Sequence, residues 1–129
     1  MDIGTAFLES AIKRFREYKS LGDKTFAQLS GSDLFFQPNE ASNSIAIIIQ
    51  HLHGNMLSRW TNFLNEDGEK DWRQRDEEFE EQDLSSEQLM HQWEEGWKLL
   101  LKTLESLTAE DLLKQVTIRQ QPLTVCLLG

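Results

Sequence analysis

The sequence predicts an all-α fold, a single bundle of amphipathic helices, on three observations. Apolar side chains recur at helical spacing in three separate segments, the pattern of helices that each bury one face. Helix-start signals stand in front of the second and third of those segments. The longest polar stretch, residues 65 to 83, falls between the same two segments and sets how they are joined.

In the first segment Ile3, Phe7, Ala11, Phe15 and Tyr18 form a stripe that Leu8 and Ile12 widen, so a helix is predicted over 3–21. Gly22 is expected to end or loosen it, with Phe26 and Leu29 carrying one more helical stretch to the turn at Ser30-Gly31-Ser32-Asp33. Pro38 closes a short extended connector, because the residue before a proline is driven out of the α region. Asn43 is the expected N-cap of the second helix, its side-chain oxygen accepting an orphaned backbone N–H. That helix carries Ile45, Ile48, Ile49, Leu52, Met56, Trp60 and Phe63 on its apolar face.

Asp67-Gly68 is a turn signal, and the polar stretch around it contains Trp72 and Phe79, which are expected to pin it to the core. Antiparallel neighbours need links of only about two to eight residues, so roughly twenty predict a crossover that returns along the bundle and leaves the second and third helices parallel. The third helix opens on a Ser85-x-x-Gln88 capping box and bears Leu89, Trp93, Trp97, Leu100, Leu104 and Leu107 on one stripe. Thr108, Glu110 and Asp111 begin a short helix to about Lys114, and Val116 to Arg119 alternates like a brief extended piece. After Pro122 the run Leu-Thr-Val-Cys-Leu-Leu reads as the first turns of another apolar helix.

Composition narrows the function classes. With 39% hydrophobic residues, four Trp and seven Phe, 129 residues can bury one core, and such an aromatic content excludes a disordered chain. No run approaches the roughly 18 apolar residues of a membrane span, and the first ten residues lack the basic start of a signal peptide. A cytoplasmic protein with no membrane partner is expected. Its 22 acids against 13 bases give a net charge of −9, which repels nucleic acid. Cys126 is the single cysteine and excludes an internal disulfide or a CxxC motif. It reads as a buried or incidental thiol, since no histidine lies near it in sequence to activate it.

The three histidines are the candidate metal ligands, and a catalytic site usually takes three protein ligands and leaves one position open. His53 lies nearer than His51 to the centre of the apolar face of the second helix, whereas His51 shares an edge with Ile48 and Asn55. Two residues apart, their side chains diverge by about 200° and cannot chelate one ion together. His91 shares an outer face with Glu87 and reads as a solvated pair. From spacing alone His51 is a core-edge histidine satisfied by hydrogen bonds. Arg73 and Arg75 could hold an anionic substrate, although pairing with neighbouring acids to pin the crossover is the favoured reading. Trp93 and Trp97 read as core rather than ligand cage. No catalytic residue is assigned, and phosphate loops, nucleophile elbows and other cofactor-binding motifs are absent.

Three runs together carry a resemblance: His51-x-x-x-Asn55-Met56-x-Ser58-Arg59-Trp60, then Asp67-Gly68-Glu69-Lys70-x-Trp72-Arg73-x-Arg75-Asp76-x-Glu78-Phe79, then Trp93-Glu94-Glu95-Gly96-Trp97. The chain resembles a bacterial family of unknown function within the DinB-like superfamily, over nearly its full length. The resemblance implies one domain over residues 1–129, an up-down-down-up helical bundle with three helices complete and the fourth truncated. It implies a divalent metal, nickel or zinc, held by His51 and by a His-x-x-x-His pair on the final helix that this sequence does not contain. Asn55 then stands one turn from the metal ligand, as a candidate for orienting the site or its substrate from behind the ligand. Relatives in the superfamily include metal-dependent thiol transferases, so the complete form is expected to act on a small-molecule or thiol substrate by thiol transfer or hydrolysis. Alternatively, the bundle without its last helix is a non-catalytic interaction module whose open groove is covered by a second copy, as a homodimer, or by a partner's helix.

Overall fold

The computed structural model describes residues 2–127. Three long helices carry the fold: α1 (Ile3–Ala27), α2 (Ile45–Trp60) and α4 (Ser86–Ser106). The crossover contains a one-turn helix of its own, α3 (Arg75–Glu78), so α4 is the third helix of the sequence pattern. Two short strands, β1 (Gln115–Ile118) and β2 (Gln121–Thr124), pair antiparallel near the C-terminal end.

Asp2 caps α1 by accepting from the Thr5 N–H at 2.7 Å, and the helix then runs straight through Gly22 to Ala27 rather than ending there. The physical reason is packing. The Trp93 indole lies directly on α1 at Gly22, where any Cβ would overlap it, and Trp93 Nε1–H donates to Asp23 at 2.8 Å. A glycine inside a helix costs about 1 kcal/mol against alanine, and burying a large apolar side chain returns about 1.5–3 kcal/mol. Phe26 meets Trp93 edge-on at 4.8 Å, and Phe15 approaches Trp97. Those pairings set α1 antiparallel to α4.

On α2 the N-cap is Ser44, whose hydroxyl accepts from the Ile47 N–H, and not Asn43. Along α2 and α4 the facing positions rise together: His53 with Glu95, Met56 with Gly96, and the Trp60 carbonyl with Thr103. The two helices are therefore parallel, as the length of the crossover requires. Their shared seam is the core, built from Ile49, Met56 and Trp60 against Leu89, Trp93, Trp97, Leu100 and Leu104. Both α1 and α2 pack on α4, while α1 and α2 barely touch each other.

Polar side chains, and not the two predicted aromatics, fasten the crossover. Trp72 is 53% exposed and Phe79 44%, which corrects the expectation that they pin it to the core. The anchor at the C-terminal end of α2 is Lys70, whose buried ammonium donates to the Ser58 and Asp67 carbonyls. Ser58 in turn donates to the Gly68 carbonyl at 2.8 Å and accepts from the Lys70 N–H at 2.9 Å. Three carbonyls and one buried hydroxyl, which would otherwise be orphaned near a helix end, are satisfied at once.

The expected apolar helix after Pro122 is instead the second strand of a hairpin that leads into a 3-10 turn, Val125–Leu127. Its two turn residues, Arg119 and Gln120, both have positive φ (52° and 66°). Side chains other than glycine, asparagine or aspartate seldom sit there, because Cβ crowds the following carbonyl. What holds the turn is Asp67, whose carboxylate accepts from the Arg119 N–H at 2.8 Å and the Gln120 N–H at 2.7 Å. It also accepts from the Glu69 N–H at 2.8 Å, and the Gly68 N–H reaches the Thr117 carbonyl.

These backbone donors, Glu69 first and then Gln120, hold the Asp67 carboxyl well below its ordinary value of 3.8. A depressed carboxylate stabilises the fold fully above that ordinary value and loses the contribution as pH falls below it. Asp67→Ala is expected to expose the Arg119 and Gln120 amides to rapid hydrogen exchange while those of α4 keep their protection. Unchanged exchange at both turn amides would remove the clamp from the account.

Candidate functional site

The side chain singled out on α2, His51, lies beside a buried carboxylate supplied by the crossover. Glu78, at the end of α3, is 9% exposed and reaches the His51 Nδ1 through one oxygen at 3.1 Å. Arg73, 2% exposed, donates Nε–H to one Glu78 oxygen and Nη2–H to the other, each at 3.0 Å, the fork geometry of a strong guanidinium–carboxylate pair. Its Nη1 reaches Glu69 at 3.3 Å, and Glu69 approaches Arg119 of the hairpin at 3.7 Å. The hydrogen bonds to Glu78 raise the pKa of Arg73 above its ordinary value, with burial opposing them. An ion-pair network therefore runs from the hairpin turn to the imidazole.

The local sequence makes this approach feasible. Gly54 stands one turn along α2 from His51, and a Cβ there would overlap the Glu78 carboxylate. Gln50, just before His51, donates its Nε2 hydrogens to the Glu78 and Glu80 carbonyls at 3.0 and 2.9 Å, which fixes the backbone on which Glu78 rides. The Phe79 ring covers the imidazole at 4.7 Å.

The arrangement selects the tautomer of a neutral imidazole. A carboxylate held by a guanidinium can only accept, so the neutral His51 ring carries its proton on Nδ1 and leaves Nε2 as a lone-pair donor. The His51 side chain is 31% exposed. A carboxylate on one ring nitrogen and a free lone pair on the other is the outer support that metal-ligating histidines use.

The remaining candidates lie elsewhere. His53 Nε2 pairs with Glu95 at 2.9 Å on the α4 side of the helix, and His91 is exposed on the far face of α4. Asn55 is half-buried one turn beyond His51. Cys126 is half-buried, free, and packed on the core. Arg73 is the buried crossover anchor, whereas Arg75 is exposed at the start of α3. Among the described residues no three His, Cys, Asp or Glu side chains are grouped to hold a metal ion. A metal thus fits His51 as one oriented ligand and does not find a complete ligand set here. Sequence reasoning missed Glu78, 27 positions away in the chain. The signal was Gly54, a glycine inside an apolar helix with no turn to explain it.

The fold and site define a mostly helical protein in which His51, at the edge of α2, meets a buried carboxylate held by Arg73. The chain belongs to the family described as protein of unknown function (DUF1572), whose model matches residues 2–127. No curated protein and no solved structure matches the chain significantly.

Glu78→Ala strands a buried guanidinium and is expected to cost about 3–5 kcal/mol. Replacing both charges together, Arg73→Met with Glu78→Leu, is expected to cost far less, and urea denaturation of the two variants measures the difference. Equal losses would mean that the pair is not the anchor described.

Proposed function

We propose that this protein is a divalent-metal-binding bundle of the DinB-like kind, in which His51 Nε2 is one ligand of a nickel or zinc site. The observation that carries the reading is the Glu78 contact on His51 Nδ1, which leaves the other ring nitrogen with an uncommitted lone pair. Asn55, next along the same edge of α2, orients the polar end of a ligand or substrate. By resemblance the other ligands are a His-x-x-x-His pair, which this sequence does not contain. In the complete site a metal with an open position lowers the pKa of a bound thiol or water, the chemistry of thiol transfer or hydrolysis.

Zinc titrated into protein with ¹⁵N-labelled histidine is expected to shift the His51 Nε2 signal before any nitrogen of His53 or His91. His51→Ala removes that first shift. A nitrogen of His53 or His91 that moves at lower zinc concentration, or unchanged zinc uptake by His51→Ala, would sink the proposal.

A second reading rests on a different observation. Ile3, Phe7, Tyr18 and Leu21 are exposed along α1, and Ile48 is exposed on α2, so two helices that barely touch each carry uncovered apolar surface. In this reading a second copy covers it, giving a homodimeric interaction module. Light scattering during size exclusion is expected to return a dimer that Phe7→Glu with Leu21→Glu converts to monomer. A monomer for the unaltered chain at high micromolar concentration would refute it.

A further inference from the structure

One edge of α2 carries polar atoms that the fold leaves without partners. Among the polar side chains of the helix, Gln50, His53 and Ser58 each meet a partner on the crossover or on α4. The others, His51, Asn55 and Arg59, follow one another at four-residue spacing and so share an edge. Glu78 occupies only Nδ1 of His51, and Asn55 is half-buried with no hydrogen bond among the described residues. Arg59 makes neither a hydrogen bond nor an ion pair among them.

Arg59 departs furthest from an ordinary surface residue. It is half-buried, its stem lying against Gly68, where an added Cβ would stand 3.2 Å from Cδ and 3.3 Å from Nε. Nε is enclosed and has no acceptor, so the Nη groups are the part a ligand can meet. The acids that act on this guanidinium are already engaged. Glu69 pairs with Arg73 at 3.3 Å and approaches Arg119 at 3.7 Å, and Asp67 accepts from the backbone N–H groups of Glu69, Arg119 and Gln120.

Arg73 and Arg59 respond oppositely to their surroundings. Hydrogen bonds to Glu78 raise the Arg73 pKa, whereas burial first and then the positive charge of Arg73 lower that of Arg59. The fold gives Arg73 its counter-charge and, among the described residues, gives Arg59 none within ion-pair distance. A guanidinium offers N–H donors in a planar fork and accepts nothing. A cationic ligand would add to the repulsion from Arg73, and a neutral one would bring an acceptor without the missing charge. An oxyanion brings both.

We propose that Arg59 binds the oxyanion group, carboxylate or phosphate, of a small molecule lying along the His51 edge of α2. The net charge of −9 disfavours a polyanion, so the ligand is small. Arg59 stands about 12 Å along the helix from His51, with Asn55 between them. That the molecule reaches toward His51 rests on the metal-site reading above, whereas the anion site itself does not.

The test uses metal-free full chain at constant ionic strength, with propionate, methyl phosphate, propanol and propylammonium as probes. Propionate or methyl phosphate is expected to shift the Arg59 Nε–H and Gly68 N–H signals saturably, the tighter of the two naming the group. Propanol and propylammonium are not. Arg59→Gln, read at the Gly68 N–H, is expected to weaken anion binding at least tenfold, with circular dichroism reporting that the helices persist. Should that variant fail to fold, Arg59→Lys keeps the stem and the charge, removes the fork, and is expected to weaken binding at least threefold. The absence of a saturable shift with either anion overturns the proposal. So does an equal response to propanol or propylammonium, or binding unchanged in the variant that folds. With no zinc present, these outcomes are separate from those of the zinc titration at His51.

Discussion

The Glu78 carboxylate is the constraint on which the rest of the α2 edge depends. It sits where three requirements meet: a guanidinium that must not be buried alone, an imidazole that needs an acceptor, and a helix surface that a single side-chain carbon would close. Exposed ion pairs contribute about 0–1 kcal/mol and seldom fix geometry. This one is enclosed, and desolvation cancels much of its Coulomb gain. Its value is therefore in specificity. Seated this way, the crossover matches the buried Arg73 guanidinium with the Glu78 and Glu69 carboxylates.

A second anchor at the other end of α2 completes the arrangement. Lys70 and Ser58 bind the crossover where it leaves the helix, and Gln50 with Glu78 binds it where it returns. A polar segment of this length would otherwise be a mobile loop. Pinned at both ends, it becomes a further wall for α2. It supplies the outer support of His51 on one side and much of the lining of a cavity on the other. The candidate site thus uses residues of a segment that hydropathy alone marks as solvent-facing.

The legibility of the fold followed how local each cause was. α4 could be read closely, because Ser85 and Gln88 signal its start and the leucine and tryptophan stripe continues to its end without a competing signal. The parallel course of α2 and α4 followed from loop length, a constraint that needs no side-chain detail. α1 was read too short because Gly22 carries a helix-ending signal, whereas its role is to admit Trp93, a residue 71 positions away. The hairpin was illegible because Arg119-Gln120 is not a turn pair by its own chemistry and becomes one only against Asp67. At the site, a helical wheel ranked His53 above His51. The resemblance selected His51, and the structure adds what distinguishes its carboxylate: Glu78 is buried and held by Arg73, whereas Glu95 on His53 is half exposed. Arg73 was read correctly as an anchor, since acids flank it, but its partner could not be chosen among so many carboxylates.

The turn held by Asp67 also has a consequence for the order in which the chain assembles. Residues 115 to 124 carry no glycine or asparagine at the bend, so an isolated peptide of this sequence has little reason to close. Its acceptor lies 52 and 53 positions upstream, beyond the whole of α4. The crossover and α4 must be in place before the two strands can meet, because bringing distant segments together costs entropy that only later contacts return. The hairpin is therefore a late event in folding, and its closure reports that the crossover has already found its seat.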